Sequence, residues 1–346
     1  MKRRMIGILL SMTLAVGMLT GCGGSDNSTA SANGTESTSA APTEAPTTAG
    51  AESETAPQKK EGGYTFGYTA KDGSNPFFIA VENAIREAVE ANGDKLIATD
   101  PSDDVDKQIS QIEDMIVQGI DAIFLNPAEA EGILPALDKL KEAGIPIINF
   151  DTEVADMSYI TAYVGSDNYN AGFVCGEDLV KRSPEGGKVI VLDEPTANSV
   201  VDRVNGFLAA LEDKGFEVVS QQNGKGNLET AMSVCEDLLQ ANSDVVCLFG
   251  GNDPMALGAL AAANAANITE CYIYGVDGSP DVKAELTNEG TLLTGTGAQS
   301  PNQIGITSAE VMYKIMNGEN VDERYPVETF LINADNVGEF GTDGWQ

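Results

Sequence analysis

From Tyr64 onward the apolar positions follow one repeating arrangement. A segment with apolar residues three and four apart ends near Gly or Asn, a short apolar run follows, and the run closes on a polar residue. "EDMIVQGIDAIFLNP" passes from helix through Gly119 into a strand that ends at Asn126. "LDKLKEAGIPIINFD" does the same through Gly144 to Asp151, and "FLAALEDKGFEVVSQQN" turns at Gly215. Further units end at Asn252-Asp253, at Asp277 and at Gln299. The runs "AIFL", "PIINF", "KVIVL" and "VVCLF" are apolar at consecutive positions, as in strands buried on both faces. Such strands alternating with helices predict an α/β fold with doubly wound parallel sheets.

In open parallel sheets, ligands bind beyond the carboxyl ends of the strands. The strand-end residues therefore form a candidate set: Asn75, Asn126, Asp151, Asn252, Asp277 and Gln299. Each also suits an ordinary local role. Asn75-Pro76, Asp253-Pro254 and Ser279-Pro280 read as helix starts, and Asn and Asp are common in turns. As a set, the carboxylates and amides match a polyhydroxylated ligand, accepting from its hydroxyls and, through the amides, donating to them. The turn "DGSNPFF" adds Phe77 and Phe78. Capping requires neither, so one is expected on the core and the other as a platform for the apolar face of a sugar ring. Arg203, in "VVDRVNGF", is the candidate cation, or else a helix-surface arginine.

The first 63 residues follow a different pattern. Lys2-Arg3-Arg4, the apolar run "MIGILLSMTLAVGML" and then "LTGC" read as an export signal over residues 1–22. Leu19–Cys22 resembles a bacterial lipobox, which makes Cys22 the acylated first mature residue. Residues 23–63 are Ser, Thr, Ala, Pro, Gly and Glu with almost no large apolar side chain, the composition of a disordered tether. The chain carries 53 Asp+Glu against 20 Lys+Arg, a formal net charge of −33, which opposes nucleic acid and anionic lipid as direct partners. With no His, and no CxxC among Cys175, Cys235, Cys247 and Cys271, zinc fingers and Cys-His nucleophile pairs are excluded. An exported chain permits a Cys247–Cys271 disulfide. No motif calls for a cofactor or a resident metal.

"NPFF", "LNP", "NFD", "VGSDNYNAG", "DRVNGF", "GGNDPMALGAL", "GVDGSPD" and "GAQSPNQIG" follow one another as in ribose-type periplasmic binding proteins, the type I substrate-binding proteins of sugar ABC importers, which the chain resembles from Tyr64 to about Phe330. The resemblance implies two lobes joined by three crossing segments near Val164–Asp167, Thr296–Gln299 and Glu328–Phe330. It implies an N-terminal lobe of residues 64–166 and 299–328 and a C-terminal lobe of 167–298 and 329–346. Carried over residue by residue, it assigns ligand contacts to Asn75, Phe77, Phe78, Asn126, Asp151, Arg203, Asn252, Asp277 and Gln299. Thr152 and Gly226 depart from it, standing where an arginine and an aromatic are usual. They suggest a roomier, less cationic cleft that suits a hexose, another pentose or a polyol better than ribose. The implied protein is a monomeric solute-binding lipoprotein, not an enzyme, serving ABC importer permease subunits and touching the membrane only through its lipid. A sensory binding protein presenting a sugar or furanosyl signal to a membrane receptor is the alternative. A repressor of the same core would need a basic DNA-binding head, and the strand ends carry no nucleophile, elbow or phosphate loop for an enzyme.

Replacing the single lipidation candidate tests the leader. Cys22→Ala should move the protein from the membrane fraction to the soluble one, as judged by fractionation and lipid labelling; a variant that still pellets while wild type carries no lipid would refute the anchor.

Overall fold

The computed structural model describes residues 62–346; the leader, Cys22 and the tether up to residue 61 lie outside the described residues. Twelve strands among the described residues form two six-stranded sheets. The first takes β1 (Thr65–Thr69), β2 (Lys95–Thr99), β3 (Ala122–Leu125), β4 (Ile147–Phe150), β5 (Ala162–Ser166) and β11 (Arg324–Val327), in the order β11-β5-β4-β3-β1-β2, all parallel. The second takes β6 (Gly187–Asp193), β7 (Phe216–Asn223), β8 (Val245–Gly250), β9 (Tyr272–Asp277), β10 (Leu293–Ala298) and β12 (Phe330–Asn333), in the order β12-β10-β9-β8-β6-β7, with only β12 antiparallel.

The helices are α1 (Pro76–Ala91), α2 (Val105–Val117), α3 (Leu134–Glu142), α4 (Asn168–Arg182), α5 (Asn198–Leu211), α6 (Leu228–Ala241), α7 (Asp253–Ala265), α8 (Pro280–Glu285), α9 (Pro301–Met316) and α10 (Val337–Phe340). Their starts bear out the local reading of several strand-end residues. Asn75 caps α1 by accepting from the Phe77 N–H, Asn252 caps α7, and Ser279 caps α8. Each satisfies a backbone donor that the helix cannot.

Central strands β3 and β4 are buried at every position, which explains their unbroken apolar runs. Phe66, Phe124 and Phe150 fill the first core; Phe207 stacks on Phe249 at 4.1 Å between ring centres in the second. The chain passes between the sheets three times, after β5, after β10 and between β11 and β12. The first two passages fall just beyond the strand ends, slightly later than the sequence suggests, because Val164 and Thr296 are still paired within their sheets. The final residues also return: Trp345 meets Phe77 of the first core edge-on at 5.8 Å, while Gln346 donates to the carbonyl of Asp277 at 3.1 Å. All four described cysteines are buried and free, so the conceivable Cys247–Cys271 bridge is absent. Burial pushes the Cys235 and Cys271 thiols up to about 12, far from thiolate chemistry.

The closest helix contact in the second lobe depends on two glycines. A β-carbon at Gly172 on α4 would lie 1.8 Å from the Arg203 carbonyl oxygen, and one at Gly206 on α5 would lie 1.9 Å from that of Tyr169. Backbone cannot move aside as a flexible side chain can. Gly172→Ala should therefore destabilise the protein by ~1–3 kcal/mol or more, read as a lower denaturant midpoint, and should displace Arg203 with its helix. Unchanged stability would show that α4 and α5 can separate freely.

Candidate functional site

The carboxyl ends of both sheets face each other across a cavity of about 90 Å³. Asn75, Phe77, Phe78, Asp151 and Thr152 line it from the first lobe, and Arg203, Asn252 and Asp277 from the second. Four of the six strand-end candidates thus meet at one place, and Phe77, Phe78, Thr152 and Arg203 join them there. Both phenylalanines line the cavity and both belong to the first core, so the expected division into one core ring and one platform does not hold. Pro76 begins the helix immediately behind them, and the Tyr68 hydroxyl fixes its first turn by donating to the Phe78 carbonyl at 2.9 Å.

Asn126 and Gln299 do not line the cavity; they stand one layer behind and each holds an aspartate. The Asn126 amide donates to the Phe150 carbonyl at 3.1 Å and to Asp151 Oδ2 at 3.4 Å. Gln299 Nε2 donates to Asp277 Oδ1 at 3.0 Å. Both are fully buried; Asn126 Oδ1 accepts from the Lys71 N–H at 3.3 Å, whereas Gln299 Oε1 accepts no hydrogen bond.

Arg203 is the centre of the site. It is 4% exposed, so it is no helix-surface arginine. Nε donates to Asn168 Oδ1 at 2.8 Å, and Nη1 to the Gly251 carbonyl at 3.1 Å and to Asp277 Oδ1 at 3.3 Å. Nη2 faces Asp151 Oδ1 of the other lobe at 3.5 Å. Asp151 Oδ2 accepts from Thr152 and Asn126, but buried Oδ1 accepts no hydrogen bond. Thr152 Oγ1 meets Ser199 Oγ at 2.7 Å, a second polar contact between the lobes. Both aspartates leave their strands with positive φ, 59° for Asp151 and 145° for Asp277. Non-glycine residues adopt such angles at a cost, typically where a functional geometry is imposed.

The charge balance is negative. Burial raises the Asp151 carboxyl above its usual range, with Arg203 pulling it back. Burial pushes Asp277 well above it, against the same guanidinium, and nearby Asp253 raises it further. Asp253 is itself raised by burial, although it accepts from the Ser279 N–H at 2.7 Å and the Thr296 hydroxyl at 2.7 Å.

Residues absent from the strand-end set also line the cavity. Lys71 follows β1 and Glu194 follows β6; they form an ion pair across the cleft. Lys225 adds another cation. Besides Arg203 the cleft thus holds two lysines. A β-carbon at Gly226 would lie 2.6 Å from Glu194 Oε2, so a carboxylate occupies the neighbourhood expected to be vacant. Lys71 and Glu194 each lie just beyond the polar residue that ends the strand, Thr69 in "YTFGYTAK" and Asp193 in "KVIVLDE".

Two doubly wound lobes with facing strand ends and a cavity lined by both define a two-lobed solute-binding protein. The chain belongs to the periplasmic binding protein domain family, whose model matches residues 66–320. It is 31% identical over 260 residues to the ribose import binding protein of Escherichia coli (strain K12), covering 75% of this chain and 87% of that one. It is 32% identical over 266 residues to the ribose import binding protein of Bacillus subtilis (strain 168), covering 77% and 85%. Among solved structures, an ABC transporter solute-binding protein from Mycobacterium smegmatis with bound glycerol superposes with a TM-score of 0.77 at 28% identity, covering 82% of this chain and 98% of that one. The family is one of extracytoplasmic binding proteins for transported solutes, so this chain is a binding protein and not an enzyme. No helix of the described residues is long and apolar enough to cross a membrane.

The raised carboxyls set the sign of a pH effect. An acid whose folded pKa exceeds its unfolded value of ~4 costs stability when ionised, and that cost disappears as pH falls between the two values. Lowering the pH from 7 towards 4 should therefore stabilise the unliganded protein through Asp151, Asp253 and Asp277. Asp277→Asn should flatten this rise in melting temperature. A variant with the wild-type pH slope would remove Asp277 from the cause.

Proposed function

We propose that the protein captures a neutral monosaccharide or polyol between its lobes and delivers it to an ABC importer, held at the outer face of the membrane by lipidated Cys22. In this reading residues 64–166 with 299–328 move against residues 167–298 with 329–346, and the protein acts as a monomer. The observation that carries the ligand class is Asp151, which lines the cavity and whose buried Oδ1 accepts no hydrogen bond and has the Arg203 guanidinium 3.5 Å away. A buried polar atom left in this way calls for a donor, and a ligand hydroxyl supplies one without adding charge. Phe77 and Phe78 offer apolar ring surface, while Asn75 and Asn252 supply amides. The names of the relatives agree in kind: ribose in Escherichia coli and Bacillus subtilis, glycerol in the Mycobacterium smegmatis structure. Ribose itself is expected to bind less tightly than the native ligand, because Thr152 brings no guanidinium and the Glu194 carboxylate stands beside Gly226, where the ribose-type pattern has an aromatic.

Isothermal titration against neutral sugars and polyols, ribose included, tests the reading. Asp151→Ala and Asp277→Ala should each weaken the ligand that binds by roughly 1.5–3 kcal/mol, with circular dichroism unchanged. If both variants bind as wild type does, the ligand lies elsewhere. Small-angle scattering should show a smaller radius of gyration with saturating ligand, since a ligand touching both lobes favours the closed form.

A further inference from the structure

A second charged contact joins the lobes besides Arg203. Lys71 at the end of β1 and Glu194 at the end of β6 approach from different sheets and form an ion pair. Both line the cavity, and they are only 8% and 5% exposed. Lys71 has a second carboxylate 3.5 Å away, Asp103, on its own lobe and 44% exposed at the rim. Glu194 has no ion-pair partner other than Lys71 among the described residues.

Two lobes standing apart would leave both charges in water. Closure strips that water away, and a buried charge is tolerated only when it faces its opposite. A ligand that carries its own charge upsets this balance. A carboxylate beside Lys71 is brought against Glu194, and an ammonium beside Glu194 is brought against Lys71. Hydroxyls avoid the conflict, because they accept from the ammonium and donate to the carboxylate while the pair stays neutral.

We propose that Lys71 and Glu194 are a specificity-determining pair that restricts the cavity to uncharged polyhydroxylated ligands, and that removing one charge redirects the preference towards ligands carrying that charge. This rests on the function proposed above.

The test is isothermal titration of the full-length protein with three sets of probes: D-ribose, D-allose, D-galactose and myo-inositol; D-glucosamine and D-galactosamine; D-glucuronate and D-galacturonate. Wild type should bind at least one neutral probe about tenfold or more tighter than any charged one. In Lys71→Met, which leaves Glu194 unpaired, the affinity of the amino sugars relative to the neutral probe should rise at least about tenfold. In the nearly isosteric Glu194→Gln, the uronates should gain relative to the neutral probe, by less because Asp103 still faces Lys71. The double variant should return to the wild-type preference, an outcome that a purely structural role for either residue does not produce. Single variants that are folded by circular dichroism and keep the wild-type order of preference would overturn the pair's role and leave the proposed function intact. A wild type that prefers a charged probe would overturn the pair's role together with the neutral ligand class proposed above. A wild type that binds none of the probes would overturn both.

Discussion

The site is organised around one guanidinium shared by two buried aspartates from opposite lobes. Arg203 brings a single positive charge to Asp277 on its own side and to Asp151 across the cleft. Removing three charges from water is expensive, and one cation between two anions recovers only part of that cost. The structure compensates with neutral donors. Gln299 and the Asp253 N–H serve Asp277, while Thr152 and Asn126 serve Asp151. Asp151 Oδ1 is what remains after these donors are used. In the function proposed above, a ligand hydroxyl is the donor that this oxygen lacks.

The same constraint explains why the residues behind the cavity are amides. A further carboxylate at 126 or 299 would add repulsion to a site already short of positive charge, and an apolar residue would leave the aspartates without donors. Gln and Asn orient the acids without changing the charge. Arg203 in turn is held by Asn168 and the Gly251 carbonyl, groups from α4 and the end of β8. Its position thus depends on the close contact of α4 with α5, which the glycines at 172 and 206 allow.

Much of this was legible in the sequence because strand ends in parallel sheets have a fixed geometric meaning. The apolar runs located the strands, and the polar residue after each run was placed at the cleft by topology alone. Capping and lining the cavity are compatible: Asn75 and Asn252 each use the side-chain oxygen on a helix N–H and still line the cavity. What the pattern could not give was depth. Asn126 and Asp151 both close strand runs, yet only one reaches the cavity, a difference set by backbone angles such as the positive φ of Asp151. Nor could it pair Lys71 with Glu194, residues more than a hundred positions apart on different sheets. The vacancy expected at Gly226 failed for the same reason, since the group that occupies it comes from a distant strand.

The chain's last residues show how far the site extends beyond the strand ends. Lys283 Nζ donates to the Gly344 carbonyl at 2.6 Å and so anchors the terminal segment on the second lobe. Two residues later Gln346 donates to the Asp277 carbonyl, and between them Trp345 meets the edge of Phe77 in the first lobe. One short segment therefore touches the backbone of an aspartate on one side of the cavity and an aromatic ring on the other. Any opening of the cleft that separates Phe77 from Asp277 must either carry Trp345 away from its ring or release Gln346 from its carbonyl. Because an aromatic edge contact contributes only ~0.5–1.5 kcal/mol beyond its buried area, it can yield without unfolding either lobe. The segment thus adds a small preference for the arrangement in which Phe77 and Asp277 stand on opposite sides of the cavity.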